Sequence, residues 1–216
     1  MTRVALTFDN GPDPVGTPRV LDALERHGVP ATFFVLGRQL DAPGGLDLAR
    51  AIRDAGHALG NHSYTHQIPL GEDPGPEAVA RELARTHARL EQVWAGPWRF
   101  RPFGRKGQLG AHLLSVDALR WLEQRAYDVV LWNAIPGDFS DYGGWMDTAL
   151  AQLDDPAAPH RLMVLHDAHP GAMVHLDAFL TEARARGHTF VADLPQDCLP
   201  MVRGLAGPEL SRFVSR

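Results

Sequence analysis

The chain has 216 residues, 44% of them hydrophobic and 22% charged, with a formal net charge of -5. That is enough chain for one good-sized core, read as a single domain over residues 1–216. The acidic balance argues against a nucleic-acid or anionic-membrane partner. No apolar run is long enough to span a bilayer, and the lone cysteine, Cys198, rules out an internal disulfide and reads as structural. With no signal-peptide pattern ahead of the first apolar run, a cytoplasmic location is the expectation. Oligomeric state is not legible.

Val4-Ala5-Leu6 leads into Thr7-Phe8-Asp9-Asn10-Gly11-Pro12-Asp13-Pro14. The apolar run reads as a buried strand, and the glycine and prolines forbid its continuing. Pro18 to His27 has helix periodicity and stops at Gly28. Ala31 to Leu36 is a second buried strand. A helix over Leu46 to Ala55 closes at Gly56. His57 to Gly60 is a short strand that delivers Asn61-His62-Ser63-Tyr64-Thr65-His66. Glu77 to Val93 is a long amphipathic helix, and Trp98 to Phe103 runs from strand to loop. Leu113 to Arg125 is helical, Asp128 to Asn133 is a strand, and Trp145 to Leu153 is a helix. Arg161 to His166 is a strand ending on a histidine. Ala172 to Arg186 is a helix, and His188 to Val191 is a last strand. Alternating strands and helices predict an α/β fold with a largely parallel sheet, and six or seven βα units suit a barrel-like closure. No Gly-rich dinucleotide fingerprint follows the first strand.

Five strand ends carry polar groups: Asp9 and Asn10, His62 and His66, Arg101, Asp138, and His166. In a parallel sheet they meet on one face, which makes a site the better reading than five accidents. His62 and His66, at i and i+4 on a helical turn, would place two imidazoles about 6 Å apart on one side, within reach of one metal. Asp9 suits a general base. Arg101 would hold it by a bidentate pair, with Arg99 as a competitor. His166 suits a general acid, its ring held and its proton affinity raised by Asp138.

These residues resemble the polysaccharide deacetylases of carbohydrate esterase family 4, the NodB-homology domain, over about Val4 to Phe179. Thr7-Phe8-Asp9-Asn10-Gly11-Pro12 matches the family's Thr-Phe-Asp-Asp-Gly-Pro, and His62 to His66 matches its His-Ser/Thr-x-x-His. Phe100-Arg101-Pro102-Phe103-Gly104 is similar to Arg-Pro-Pro-Tyr-Gly with one residue missing. Asp138-Phe139 and Leu162 to His166 resemble the last two motifs. The resemblance implies a distorted (β/α) barrel with about seven strands and metal-dependent removal of an acetyl group from an N- or O-acetylated carbohydrate. It implies Asp9 as base, His166 as acid, and Arg101 and Asp138 as their supports. Asn10, His62 and His66 would hold zinc, or cobalt, nickel or manganese. Phe103, Tyr64, Val164 and Leu165 would contact a small-molecule or oligosaccharide substrate, Phe103 through its backbone N–H. The family's second motif aspartate is Asn10 here, which removes a negative charge from the metal site. Asn10-Gly11 is also prone to deamidation, which would give aspartate or isoaspartate, of which only aspartate restores the family's ligand. A metal-free amidohydrolase of the same fold and a carbohydrate-binding pseudoenzyme are the alternatives.

Overall fold

The computed structural model describes residues 1–215. Its elements, in chain order, begin with β1 (Arg3–Asp9), α1 (Gly16–His27), β2 (Ala31–Val35), α2 (Gly37–Asp41), α3 (Gly45–Asp54) and β3 (Ala58–Asn61). A helical segment then passes from α4 (Pro76–Val79) through a π-helical turn (Ala80–Ala84) into α5 (Arg85–Leu90). There follow β4 (Arg99–Phe100), α6 (Val116–Gln124), β5 (Asp128–Val129), α7 (Trp145–Asp154), β6 (His160–His166), α8 (Leu176–Ala185), β7 (Thr189–Phe190), β8 (Met201–Val202) and β9 (Leu205–Ala206).

The first seven strands pair in parallel. β6 runs along one edge of β1 over its full length, from Arg3↔His160 to Asp9↔His166. The other edge of β1 takes β7 at Arg3 and Val4, then β2 from Leu6 onward. β3, β4 and β5 continue beyond β2. The chain after β5 stays extended: Val130 N–H donates to Phe100, and Ala134 exchanges hydrogen bonds with β6, its N–H to Leu162 and its carbonyl from Val164. A parallel bridge, Ala134↔Met163, marks the contact. The sheet thus curls back onto β6, and the expected distorted barrel of seven parallel strands is what the chain builds.

Period-two alternation divides the strands between two cores. Val4, Leu6, Phe8, Phe33, Leu59, Met163 and Leu165 face outward and pack with Val20 and Leu24 of α1, Ile52 of α3, Leu150 of α7 and Phe179 of α8. Ala5, Phe34, Leu162 and Val164 face inward and belong to the second cluster. Each fully buried Leu or Phe contributes roughly 1.5–3 kcal/mol over leaving it exposed. The same alternation points Thr7, Asp9 and His166 inward, so the top of the barrel is polar.

Element boundaries move for local reasons. α1 starts two residues before Pro18, because Asp13 Oδ1 accepts the N–H groups of Val15 and Gly16 and turns the chain. α6 starts at Val116, capped by Ser115 Oγ accepting from Ala118, while Ala111–Leu113 is a separate 3₁₀ turn. The long helix ends at Leu90, and only Asp128–Val129 of the expected Asp128–Asn133 strand pairs regularly. α2, and the antiparallel β8–β9 hairpin that pairs with β5, were not expected. Two-residue strands and a single helical turn are too short to show a period.

Candidate active site

The C-terminal ends of the parallel strands frame a cleft of about 210 Å³ lined by Asp9, Asn10, His62, His66, Phe103, Val164 and His166, among others. At its floor Asp9 is 4% exposed and Arg101 fully buried. Arg101 Nη1 donates to Asp9 Oδ1 at 2.9 Å and to the Thr7 hydroxyl at 2.6 Å. The contact to Asp9 is one hydrogen bond rather than the expected bidentate pair, because Thr7 shares the donor. Nε and Nη2 reach the carbonyls of Val130 and Leu131, each at 3.4 Å, and the guanidinium lies 4.1 Å from the centre of the Phe34 ring. Arg99 sits lower in the barrel and donates to Thr32. Arg101 is therefore the arginine that holds Asp9.

Asp9 Oδ2 is 3.5 Å from His62 Nε2. His62 Nδ1 is 2.8 Å from the Arg101 carbonyl. A carbonyl only accepts, so Nδ1 carries the proton and the Nε2 lone pair faces the cleft. The His62 and His66 ring centroids are 4.6 Å apart. Burial pushes the His62 imidazole down to about 3 and the His66 imidazole down to about 2, so both are neutral at ordinary pH. The pair does not sit on a helix as the spacing suggested. It spans an irregular turn in which Ser63 (φ 68) and His66 (φ 56) are left-handed.

Asn10, also left-handed at φ 76, has its Oδ1 buried with no hydrogen-bond partner. Asparagine tolerates this backbone region better than most residues. An orphaned amide oxygen beside two neutral imidazoles is a donor set that fits a divalent transition ion. Among the described residues no three His, Cys, Asp or Glu side chains form such a group; the set described here has an amide as its third member.

The histidine turn is held from behind by Glu82, which is 4% exposed. Its Oε2 accepts the N–H groups of Tyr64 (3.0 Å) and Thr65 (2.8 Å), and its Oε1 accepts the Thr65 hydroxyl (2.9 Å). Asn61 adds a bond from the Ser63 N–H to its Oδ1. Glu82→Ala is expected to weaken metal binding about 10–100-fold by loosening this turn. Equilibrium dialysis against cobalt checks it, and unchanged affinity would remove the role.

Across the cleft Asp138, fully buried, accepts the His166 backbone N–H at 2.7 Å and contacts His166 Nδ1 at 2.9 Å. Nδ1 is thereby the protonated nitrogen facing Asp138, and Nε2 is free for chemistry. Burial alone would lower the affinity of His166 for a proton. The hydrogen bond and charge of Asp138, aided by Asp9 and Asp167, override it and raise the imidazole above its usual value. An acid catalyst must be protonated, so activity should fall as pH rises through this value. In Asp138→Asn that alkaline limb of kcat/KM should shift to lower pH, which a pH–rate profile measures.

Two expected substrate contacts are not brought to the cleft. Leu165 points outward into the helix-facing core, since alternation along β6 gives the inner face to Val164 and His166. Tyr64 swings to the outside, where its hydroxyl donates to Asp41 (2.8 Å) and Arg85 covers its ring. Phe103 does line the cleft, its ring 4.0 Å from that of His66. Sequence reasoning missed Glu82, an acidic residue within a helix with nothing to mark it. It also missed Asp167, although a second titratable residue directly after the strand-ending His166 was a usable signal.

A family model described as polysaccharide deacetylase matches residues 2–106. That span holds Asp9, Asn10, His62, His66, Arg101 and Phe103. A chitooligosaccharide deacetylase of Rhizobium leguminosarum bv. trifolii is 36% identical over 169 residues, 77% of this chain and 72% of that protein. A peptidoglycan-N-acetylglucosamine deacetylase of Listeria monocytogenes is 32% identical over 192 residues, 88% of this chain. The chain spans 37% of the length of that relative. A solved family 4 acetyl xylan esterase from Clostridium thermocellum, in complex with a cobalt ion, superposes with a TM-score of 0.69 at 26% identity, covering 88% of this chain and 87% of that one. With its strand-end residues brought to one cleft and this breadth of likeness, the chain belongs to the polysaccharide deacetylase family.

Proposed function

We propose that this chain is a metal-dependent deacetylase that hydrolyses the acetamide of an N-acetylated amino sugar in an oligosaccharide or related small compound. The observation that carries the reading is the placement of two proton-handling pairs, Arg101–Asp9 and Asp138–His166, at a single cleft that also holds the unpartnered Asn10 Oδ1 and the His62 and His66 imidazoles. The names of the curated relatives support an acetylated glucosamine unit as the substrate.

Asn10, His62 and His66 would hold zinc, or cobalt, nickel or manganese, whose chemistry there is Lewis-acid activation of the acetyl carbonyl and of water. Asp9, fixed by Arg101, removes a proton from the attacking water. The Phe103 N–H donates to the oxyanion that develops on the carbonyl oxygen. Val164, with Trp132 and Ile135, walls the small apolar end of the cleft that takes the acetyl methyl. His166 gives its Nε2 proton to the departing nitrogen, and Asp138 stabilises the imidazolium beforehand.

The test is hydrolysis of a panel of N-acetylated glucosamine oligomers, with chelator and then with zinc or cobalt restored. Loss and recovery of activity is the expected result. Activity indifferent to chelator would instead indicate a metal-free amidohydrolase, and metal binding without turnover of any acetylated sugar would indicate a binding protein. A further expectation concerns Asn10→Asp, which adds a negative charge to the donor set. It should bind cobalt at least about tenfold more tightly than the parent, the scale on which even outer partners of a metal site act. Intact mass must first confirm that position 10 of the parent is still asparagine.

A further inference from the structure

Asp167 follows His166 and, apart from helping to raise that imidazole, has no part in the reaction above, yet its side chain is fully buried. Its Oδ2 is 2.5 Å from the Thr17 hydroxyl. That hydroxyl accepts the Asp13 N–H at 2.8 Å, so its single proton is free to point to Asp167. Oδ1 is buried without a partner. The carboxyl fills the space that a side chain at Gly11 would need: a Cβ there would fall 2.1 Å from Oδ2 and 2.4 Å from Oδ1. The Asp167 carbonyl does the same at Gly16, 1.8 Å from a Cβ built on that residue. One residue just after β6 thus seats against Gly11, in the loop that joins Asn10 to α1, and against Gly16, the first residue of α1. On its other side the same loop is tied to the end of β2, where Leu36 N–H donates to Gly11 and Asn10 N–H donates to Phe34.

We propose that Asp167 is a positioning residue: its carboxyl, wedged against Gly11 and tied to Thr17, fixes the Asn10–Gly11 turn relative to His166 and so sets the spacing of the two halves of the cleft. A charged carboxylate with one hydrogen bond and no cation is costly in such a place. Burial accordingly pushes this one up to about 7. Shape and the Thr17 bond are what hold the turn, and an isosteric amide should hold it as well.

The kinetic half of the test rests on the deacetylase reading; the other half does not. In Asp167→Ala, hydrogen exchange followed by mass spectrometry on the full chain should show amides of residues 10–17 exchanging at least about tenfold faster, with β2 and β3 unchanged. kcat on the acetylated oligomer should fall on the order of a hundredfold, with KM moved less than about twofold. Asp167→Asn should restore both. Wild-type exchange over residues 10–17 in Asp167→Ala, or an Asp167→Asn as impaired as the alanine variant, overturns the proposal. If Asp167→Ala loses protection everywhere, Thr17→Val, which keeps the carboxyl and removes its tie, supplies the local reading. Faster exchange confined to residues 10–17 supports the proposal, and none overturns it. A parent chain without turnover counts against the deacetylase reading alone, since exchange needs neither substrate nor metal.

Discussion

Asp9→Asn is expected to lower kcat by about 10²–10⁴-fold while the chain stays folded. The amide keeps the size and one acceptor of the carboxylate, so the Arg101 hydrogen bond at 2.9 Å has a partner. What is lost is the basic oxygen, Oδ2, that faces His62 Nε2 at 3.5 Å. No second carboxylate lines the cleft among the described residues, and Asp138 is committed to His166 through both oxygens. Turnover within about threefold of the parent would show that Asp9 is not the base. Metal affinity should change little by comparison, which separates loss of a base from collapse of the site.

Arg101→Met should have the largest effect on stability. The arginine crosses the barrel interior and touches Thr7, Asp9, Val130, Leu131 and Phe34 without reaching solvent. Methionine fills much of its volume but leaves the Asp9 charge buried and unpaired. Breaking one partner of a buried pair costs about 3–5 kcal/mol, a fall in Tm on the order of 10 °C for a domain of this size. The double variant Asp9→Asn/Arg101→Met should recover part of that loss, since the uncompensated charge is gone. A single variant as stable as the parent, or a double variant less stable than the single, would contradict this account. Thermal unfolding followed by circular dichroism measures all three.

The polar strand ends were legible because a parallel barrel equates positions far apart in the chain, so Asp9, His62, Arg101, Asp138 and His166 needed only their place after an apolar run. The choice between Arg99 and Arg101 was not legible. Arg99 and Arg101 lie two positions apart and so share one face of the strand; alternation cannot choose between them, and only height in the barrel does, which the pairing of Phe100 with Asn61 sets. The histidine pair was found through a spacing that suits a helix, yet two left-handed residues make the turn. Left-handed Ser and His leave no compositional trace, unlike glycine. Leu165 was misplaced by carrying a motif over as a block instead of by strand parity. Glu82 and Asp167 act through backbone groups and glycines distant in sequence, and pattern reading has no access to such pairs.

The π-helical turn at Ala80–Ala84 gives chain length a meaning that composition does not carry. Such a turn is an α-helix with one residue too many, and Glu82 sits at its middle, aimed at the turn below. Deleting one residue of that stretch would let the helix relax to the regular form with its flanks still in phase, while the residues inside it are re-aimed by up to about 100° around the axis. Every buried apolar side chain could be kept by a compensating change, yet the carboxylate would no longer meet Tyr64 and Thr65. A single-codon deletion far from the cleft is therefore a route to an intact but silent member of this fold, and one in which all the motif residues would still be present.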